Sequence, residues 1–190
     1  MNSQMESKAV DMVEQARMAQ TVDSRLEPGE IRLIAPAKVN LFLDIGDKRP
    51  DNYHDASTVM HALMLHDVLR MKLGPAAEGG LELDVRCIPC KGIESLDVPS
   101  EKNIAAKAVR LLADKIGRAV DESMRIIIEK HIPAEAGLGG GSSDAAAALV
   151  GAANLWGLAA DDPRIEEAAR ELRYAYLREA AEEYGCSCIV

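Results

Sequence analysis

Aromatic residues are scarce in this sequence: among 190 residues there is one Phe, one Trp and four Tyr. A core must therefore be built from aliphatic side chains and alanine. Positive charge is also in deficit. With 22 Lys and Arg against 31 Asp and Glu, the net charge is −9, which argues against a general binder of nucleic acid or of membrane surfaces. A local site can still oppose the global sign and take a small anion. Long apolar runs are missing as well. The longest lies around Ala145 to Ala153 and is too short to cross a bilayer. The first residues hold no hydrophobic signal core, and Glu6, Asp11 and Glu14 make them too acidic for a transit peptide, so the cytoplasm is the expected compartment. Cysteine is limited to Cys87, Cys90, Cys186 and Cys188. One Cys-x-x-Cys and one Cys-x-Cys lack the regular paired spacing of a zinc site; they read as free thiols, and no metal ligand is assigned.

What is present is a soluble, globular composition, 48% hydrophobic and 28% charged, in a chain long enough for one domain, or one and part of a second. A domain of this size buries roughly 70% of its unfolded surface. The chain is organised around the stretch Pro133 to Leu149, Pro-Ala-Glu-Ala-Gly-Leu-Gly-Gly-Gly-Ser-Ser-Asp-Ala-Ala-Ala-Ala-Leu. A strand-like run from Met124 to Glu129 precedes it, and an alanine-rich helix from Asp144 to about Leu155 follows. Gly137, Gly139, Gly140 and Gly141 allow positive φ and a close approach of backbone to ligand. The helix start adds unpaired N–H groups and the positive end of a dipole. Ser142 and Ser143 add hydroxyls that can cap the helix or reach phosphate and Mg²⁺. The order strand, glycine loop, helix describes a phosphate cradle better than a flexible linker. It is not a Walker loop, because no lysine stands between Gly141 and Ser142. The cation for the phosphates must come from elsewhere in the chain.

Taken in order, residues 1–28 form a polar lead, disordered or marginally helical. A domain is expected over 30–172. Its first strand, Ile31 to Ala35, is interrupted by Pro36 and resumes from Ala37 to Ile45, with Lys38 and Asn40 on one face. Gly46 to Asn52 is a turn cluster, Ala56 to Leu65 has no clear pattern, and Val68 to Leu73 and Leu81 to Ile88 are strands. A helix follows from an N-cap at Ser100 to about Ile116, closed by Gly117. A last helix begins at Asp161-Asp162-Pro163.

Three of these stretches carry a resemblance. Pro36 to Leu43 (Pro-Ala-Lys-Val-Asn-Leu-Phe-Leu), Asp51 to His54 (Asp-Asn-Tyr-His) and Pro133 to Ala146 look like the kinases of the galactokinase, homoserine, mevalonate and phosphomevalonate kinase (GHMP) superfamily. Within it they resemble the 4-diphosphocytidyl-2-C-methyl-D-erythritol kinases of non-mevalonate isoprenoid synthesis. The likeness extends over about Ile31 to Leu172. It implies an α+β fold, a mostly antiparallel sheet with helices on one side, and the use of ATP and Mg²⁺. By resemblance Pro133, Ala134, Glu135, Ala136, Gly137, Leu138, Gly139, Gly140, Gly141, Ser142 and Ser143 hold the ATP phosphates. Lys38 is the active-site lysine beside the γ-phosphate and the substrate hydroxyl. Asn40 positions the methylerythritol end, Tyr53 stacks on the cytosine, and His54 bonds its edge. The implied partner is a small molecule, a cytidine diphosphate methylerythritol, with no nucleic acid or membrane. The implied reaction is phosphorylation of its 2-hydroxyl. Taken alone, Lys38 is an ordinary strand lysine and Tyr53-His54 a loop pair. Asn52 stands where the family has glycine, a mild change because Asn tolerates positive φ.

The sequence departs from the family after Leu172. The family continues with Gly-Ala-Asp-Val-Pro, whose aspartate is the general base; here Glu171-Leu172 leads to Arg173-Tyr174-Ala175-Tyr176. Residues 173–190 are therefore expected to be an aberrant helical tail on a kinase lacking its C-terminal domain. The expected consequences are weak or no turnover and exposed apolar surface that promotes association. Two alternatives stand beside the erythritol kinase: a nucleotide-binding fragment without catalysis, and a GHMP kinase acting on another small molecule.

Overall fold

A computed structural model describes residues 26–49, 54–94, 98–118 and 120–183. Tyr53, Cys186, Cys188 and nearly all of the 1–28 lead lie outside the described residues. The elements are β1 (Glu30–Lys48), β2 (His54–Pro75), β3 (Leu81–Pro89), a 3₁₀ turn at Ser100–Lys102, α1 (Ile104–Lys115), β4 (Glu122–Lys130), α2 (Gly140–Leu155) and α3 (Pro163–Glu183).

The four strands form one sheet in the order β1-β2-β4-β3. The β1–β2 and β2–β4 pairs are antiparallel and β3–β4 is parallel. The parallel pair is joined through α1, as a parallel connection requires a crossover. The sheet is thus mostly antiparallel, as expected, with one parallel pair that the sequence alone did not reveal. Alternation in β4 sets the buried face: Met124, Ile126 and Ile128 are buried, and the residues between them are half-exposed. Across the ladder Met71 stands opposite Ile126 and Leu69 opposite Ile128, both fully buried. The helices cover this face with small residues. Ala145, Ala148, Leu149 and Ala152 of α2 and Ala105, Ala108, Val109 and Leu112 of α1 join the same core, which accounts for a core with so few aromatic rings.

Several local expectations change. Pro36 does not break the first strand; β1 runs through it, with register shifts at Pro36/Lys38, Asn40/Phe42 and Ile45/Lys48. A strand can carry proline where no ladder donor is needed or at an irregularity. The patternless stretch 56–65 is strand, paired with β1 from Ala56 to Ala62. It lacks alternation because β4 pairs only with Val68–Pro75, so the rest of β1 and β2 is a two-stranded ribbon without a covered face. Leu41, Phe42, Val59, Met60 and Met64 are exposed there. Ser100 opens the 3₁₀ turn, and its Oγ bonds to the main chain of Val85. The cap of α1 is instead Asn103, whose side chain accepts from Ala105 N at 2.9 Å. Residues 173–183 continue α3 without a break. Lys115–Glu171 at 2.7 Å and Lys107–Glu179 at 3.8 Å join α3 to α1.

Gly151 marks where α2 lies closest to the sheet. A Cβ there would collide with the Met71 sulfur and stand 3.0 Å from Leu33 Cδ1. Overpacking of this kind costs about 1–3 kcal/mol. Gly151→Leu is therefore expected to lower the unfolding free energy by that amount, read as a lower urea midpoint, without altering the far-UV spectrum of the fold. An unchanged midpoint would show that helix and sheet are not in contact at this point.

Candidate functional site

The glycine loop leaves the end of β4 and enters α2 through three left-handed residues, Glu135 (φ 56°), Gly137 (φ 70°) and Gly139 (φ 72°). Gly139 is the N-cap of α2, with no side-chain cap. The helix starts at Gly140, earlier than the Asp144 start read from the sequence, so Ser142 and Ser143 fall inside the first turn and do not cap it. No acidic residue occupies that turn. Its first N–H groups have no intrahelical acceptor and carry the positive end of the helix dipole.

Lys38 meets this loop from β1. Its main-chain N–H donates to Leu138 O at 2.9 Å and its Nζ donates to Gly137 O at 3.0 Å. The stem of the side chain crosses Gly139 so closely that a Cβ there would stand 3.1 Å from Lys38 Cε and 3.2 Å from Cγ. Glycine is thus required at this position both by φ and by the lysine. Among the described residues Lys38 makes no ion pair, so two of its ammonium donors are free for an anion. Asn40 lies two residues further along β1, opposite Met60, with its side chain exposed. His54 lies apart from this group. It pairs with Lys48 at the end of the ribbon, and its Nδ1 stands 2.9 Å from Gly46 O. Ten residues of strand separate Lys48 from Lys38, a path of roughly 30 Å.

Beneath the loop lies a buried ionic network that the sequence analysis missed. Lys130 Nζ bonds to Asp67 Oδ2 and, at 2.7 Å, to Asp144 Oδ2. Asp67 is fully buried, and its Oδ1 accepts the main-chain N–H of His131 at 2.5 Å and of Ile132 at 2.8 Å. Asp67 on β2 therefore holds the chain where β4 passes into the glycine loop, while Lys130 fastens that point to α2. Burial pushes the Asp144 carboxyl up to about 7, against the pull of Lys130. Burial lowers Lys130, but its bonds to Asp144 and Asp67 more than offset this and raise it. Asp144 Oδ1 is buried without a hydrogen-bond partner.

A cavity of about 420 Å³ opens beside the loop. It is lined by Pro133–Ser142, Lys130 and Asp144, and by Cys87, Val98, Lys102, Asn103, Ile104 and Tyr176. Burial pushes the Cys87 thiol up, so it is a protonated lining group rather than a nucleophile. No group of three or more His, Cys, Asp or Glu able to hold a metal occurs among the described residues. None of the helices among the described residues is long and apolar enough to cross a membrane.

Residues 103–181 match the GHMP kinases N terminal domain. Over that stretch the chain holds a GHMP kinases N terminal domain. The matched segment includes α1, β4, the glycine loop and nearly all of α3. Curated relatives agree. The chain is 41% identical over 143 residues to the 4-diphosphocytidyl-2-C-methyl-D-erythritol kinase of Mycolicibacterium vanbaalenii, covering 75% of this chain and 41% of that protein. It is 40% identical over 146 residues to the same-named kinase of Nocardia farcinica, covering 76% of this chain and 44% of that protein. Among solved structures, a 4-(cytidine 5'-diphospho)-2C-methyl-D-erythritol kinase superposes with a TM-score of 0.53 at 33% identity, over 75% of this chain and 46% of that one. Homoserine kinase from Cytophaga hutchinsonii gives a TM-score of 0.56 at 18% identity, over 77% of this chain and 41% of that one, a likeness of fold alone. The chain spans less than half the length of these GHMP kinases.

The Asp144 carboxyl gives the site a pH signature. Its folded value, about 7, lies above its ordinary value of 3.8, so the folded state holds a proton that the unfolded state has lost. The stability linked to that proton is complete below about pH 4 and disappears as pH rises to about 7. Urea midpoints measured across this range should fall with pH more steeply for the unaltered chain than for Asp144→Asn. Parallel curves for the two proteins would mean that Asp144 is ionised throughout.

Proposed function

We propose that this chain binds ATP at the glycine loop as the nucleotide-binding part of a kinase of the 4-diphosphocytidyl-2-C-methyl-D-erythritol type. The observation that carries the proposal is Lys38 lying across Gly139 with its ammonium at Gly137 O. The glycine loop has no lysine of its own, and a lysine from far upstream takes up the place where one is needed. In this scheme the N–H groups at the start of α2 hold the phosphates, and Lys38 neutralises charge on the transferred phosphoryl group. Phosphoryl transfer depends chiefly on such positioning and neutralisation. Asn40, Tyr53 and His54 are the proposed contacts to the methylerythritol and cytosine ends of the substrate, and its 2-hydroxyl the acceptor. The orphaned Asp144 Oδ1 and the Ser142 side chain at the same cavity are oxygen donors of the kind Mg²⁺ accepts, and a bound Mg²⁺ would neutralise phosphate charge. The proposed setting is the cytoplasm.

One observation favours binding without turnover. Asp67 and Asp144, the buried acids nearest the loop, are both engaged by Lys130, and no carboxylate among the described residues is bonded to Lys38. A missing general base lowers the rate by about 10²–10⁴-fold.

Calorimetry with a non-hydrolysable ATP analogue, run beside an ADP-release assay with 4-diphosphocytidyl-2-C-methyl-D-erythritol, tests both points. The analogue is expected to bind, ADP release to be slow, and CDP to compete with the alcohol substrate. Lys38→Ala should weaken analogue binding about tenfold or more and abolish the remaining release. Binding unaffected by that substitution would remove the assignment, and rapid release by the unaltered chain would remove the claim of impairment.

A further inference from the structure

We propose that Tyr176 of α3 is a base-stacking residue that sets nucleotide affinity at the glycine-loop cavity, an inference that rests on the nucleotide-binding proposal above. The cavity has two kinds of lining. The glycine loop supplies main-chain amides suited to phosphate, and Val98, Ile104 and Cys87 supply apolar surface that suits the flat ring of a base. Tyr176 is the one aromatic residue among those lining this cavity.

Tyr176 is unlike an ordinary surface tyrosine in three respects. It is 58% exposed, yet it stands at the rim of a cavity rather than on an open face. It has no hydrogen bond or ring partner among the described residues, whereas the neighbouring Tyr174 has Arg173 5.3 Å from its ring. Its helix is also joined to α1: Lys115–Glu171 and Lys107–Glu179 flank it in sequence, and Ala168 on the same helix is fully buried. Tyr176, Ile104 and Ser142 also line a second cavity between the helices, so the ring forms part of the divide between the two spaces. An aromatic ring at the rim of the cavity, with apolar side chains and the glycine loop among the other lining groups, offers a nucleoside triphosphate a contact for each of its two ends. Stacking tolerates any base because each has a π face, so the residue contributes affinity more than choice of base.

The test compares two ligands on the full chain. A non-hydrolysable ATP analogue presents both ends, and inorganic tripolyphosphate presents the phosphate end alone. Tyr176→Ala and Tyr176→Leu are expected to weaken the analogue about 5- to 100-fold and to leave tripolyphosphate within about twofold. Tyr176→Phe should bind both ligands like the unaltered chain. Circular dichroism melting confirms that each variant is folded. If the analogue binds the Ala and Leu variants as tightly as the unaltered chain, or if both ligands weaken together, the stacking role is overturned while the phosphate site stands. If the unaltered chain binds neither ligand, the nucleotide-binding proposal falls and this one with it.

Discussion

The rest of the structure depends on Asp67. Its carboxylate is fully buried and makes three bonds: two from the main chain of His131 and Ile132, and one from Lys130. The chain changes at this point from a regular ladder to a loop with three left-handed residues, and main-chain N–H groups at such a change are left without ladder partners. Asp67 satisfies two of them. Ile132, held this way, packs against Gly140, where a Cβ would come within 3.0 Å of its Cγ2. A single side chain on β2 thereby sets the height at which α2 begins over the sheet. Buried ion pairs seldom add net stability, but removing one partner commonly costs about 3–5 kcal/mol because the other is left uncompensated. The network therefore specifies one geometry of the loop more than it strengthens the fold.

The parts of the fold that sequence made legible were those with a local signature. Ile126, Ile127 and Ile128 announced a strand, the glycine cluster announced a loop, and the lack of a loop lysine pointed to a distant one; Lys38 lies against that loop. The buried network has no such signature. Asp67 lies between His66 and Val68 in a stretch without alternation, because half of β2 is a ribbon exposed on both faces. The other two members left a trace. Lys130 continues the two-residue period of Met124, Ile126 and Ile128 by one step, so extending the strand past Glu129 would have placed it inside. Asp144 sits four residues before Ala148 on the buried stripe of α2. The parallel β3–β4 pair left its trace between the strands rather than in them: a strand at 81–88, a helix to Ile116 and a strand from Met124 is the order a crossover connection needs.

Charge balance explains how an acidic chain can offer a place to an anion. With both acids ionised, Asp67, Lys130 and Asp144 would leave one uncompensated negative charge directly under the loop, where low polarisability makes it expensive. Burial resists that state by raising Asp144 to about 7, so a proton on Asp144 brings the network to neutrality. The neutral network then does not repel a phosphate above it. The positive end of α2 and the ammonium of Lys38, which has no ion pair among the described residues, then act with little opposition. Proton uptake at Asp144 and occupation of the proposed phosphate site by a phosphate without Mg²⁺ therefore favour one another, whereas a Mg²⁺ held at Asp144 Oδ1 would displace that proton. The reciprocity is thermodynamic and holds in both directions. A mutation that neutralises Asp144 acts on the loop through charge as well as through the lost bond to Lys130.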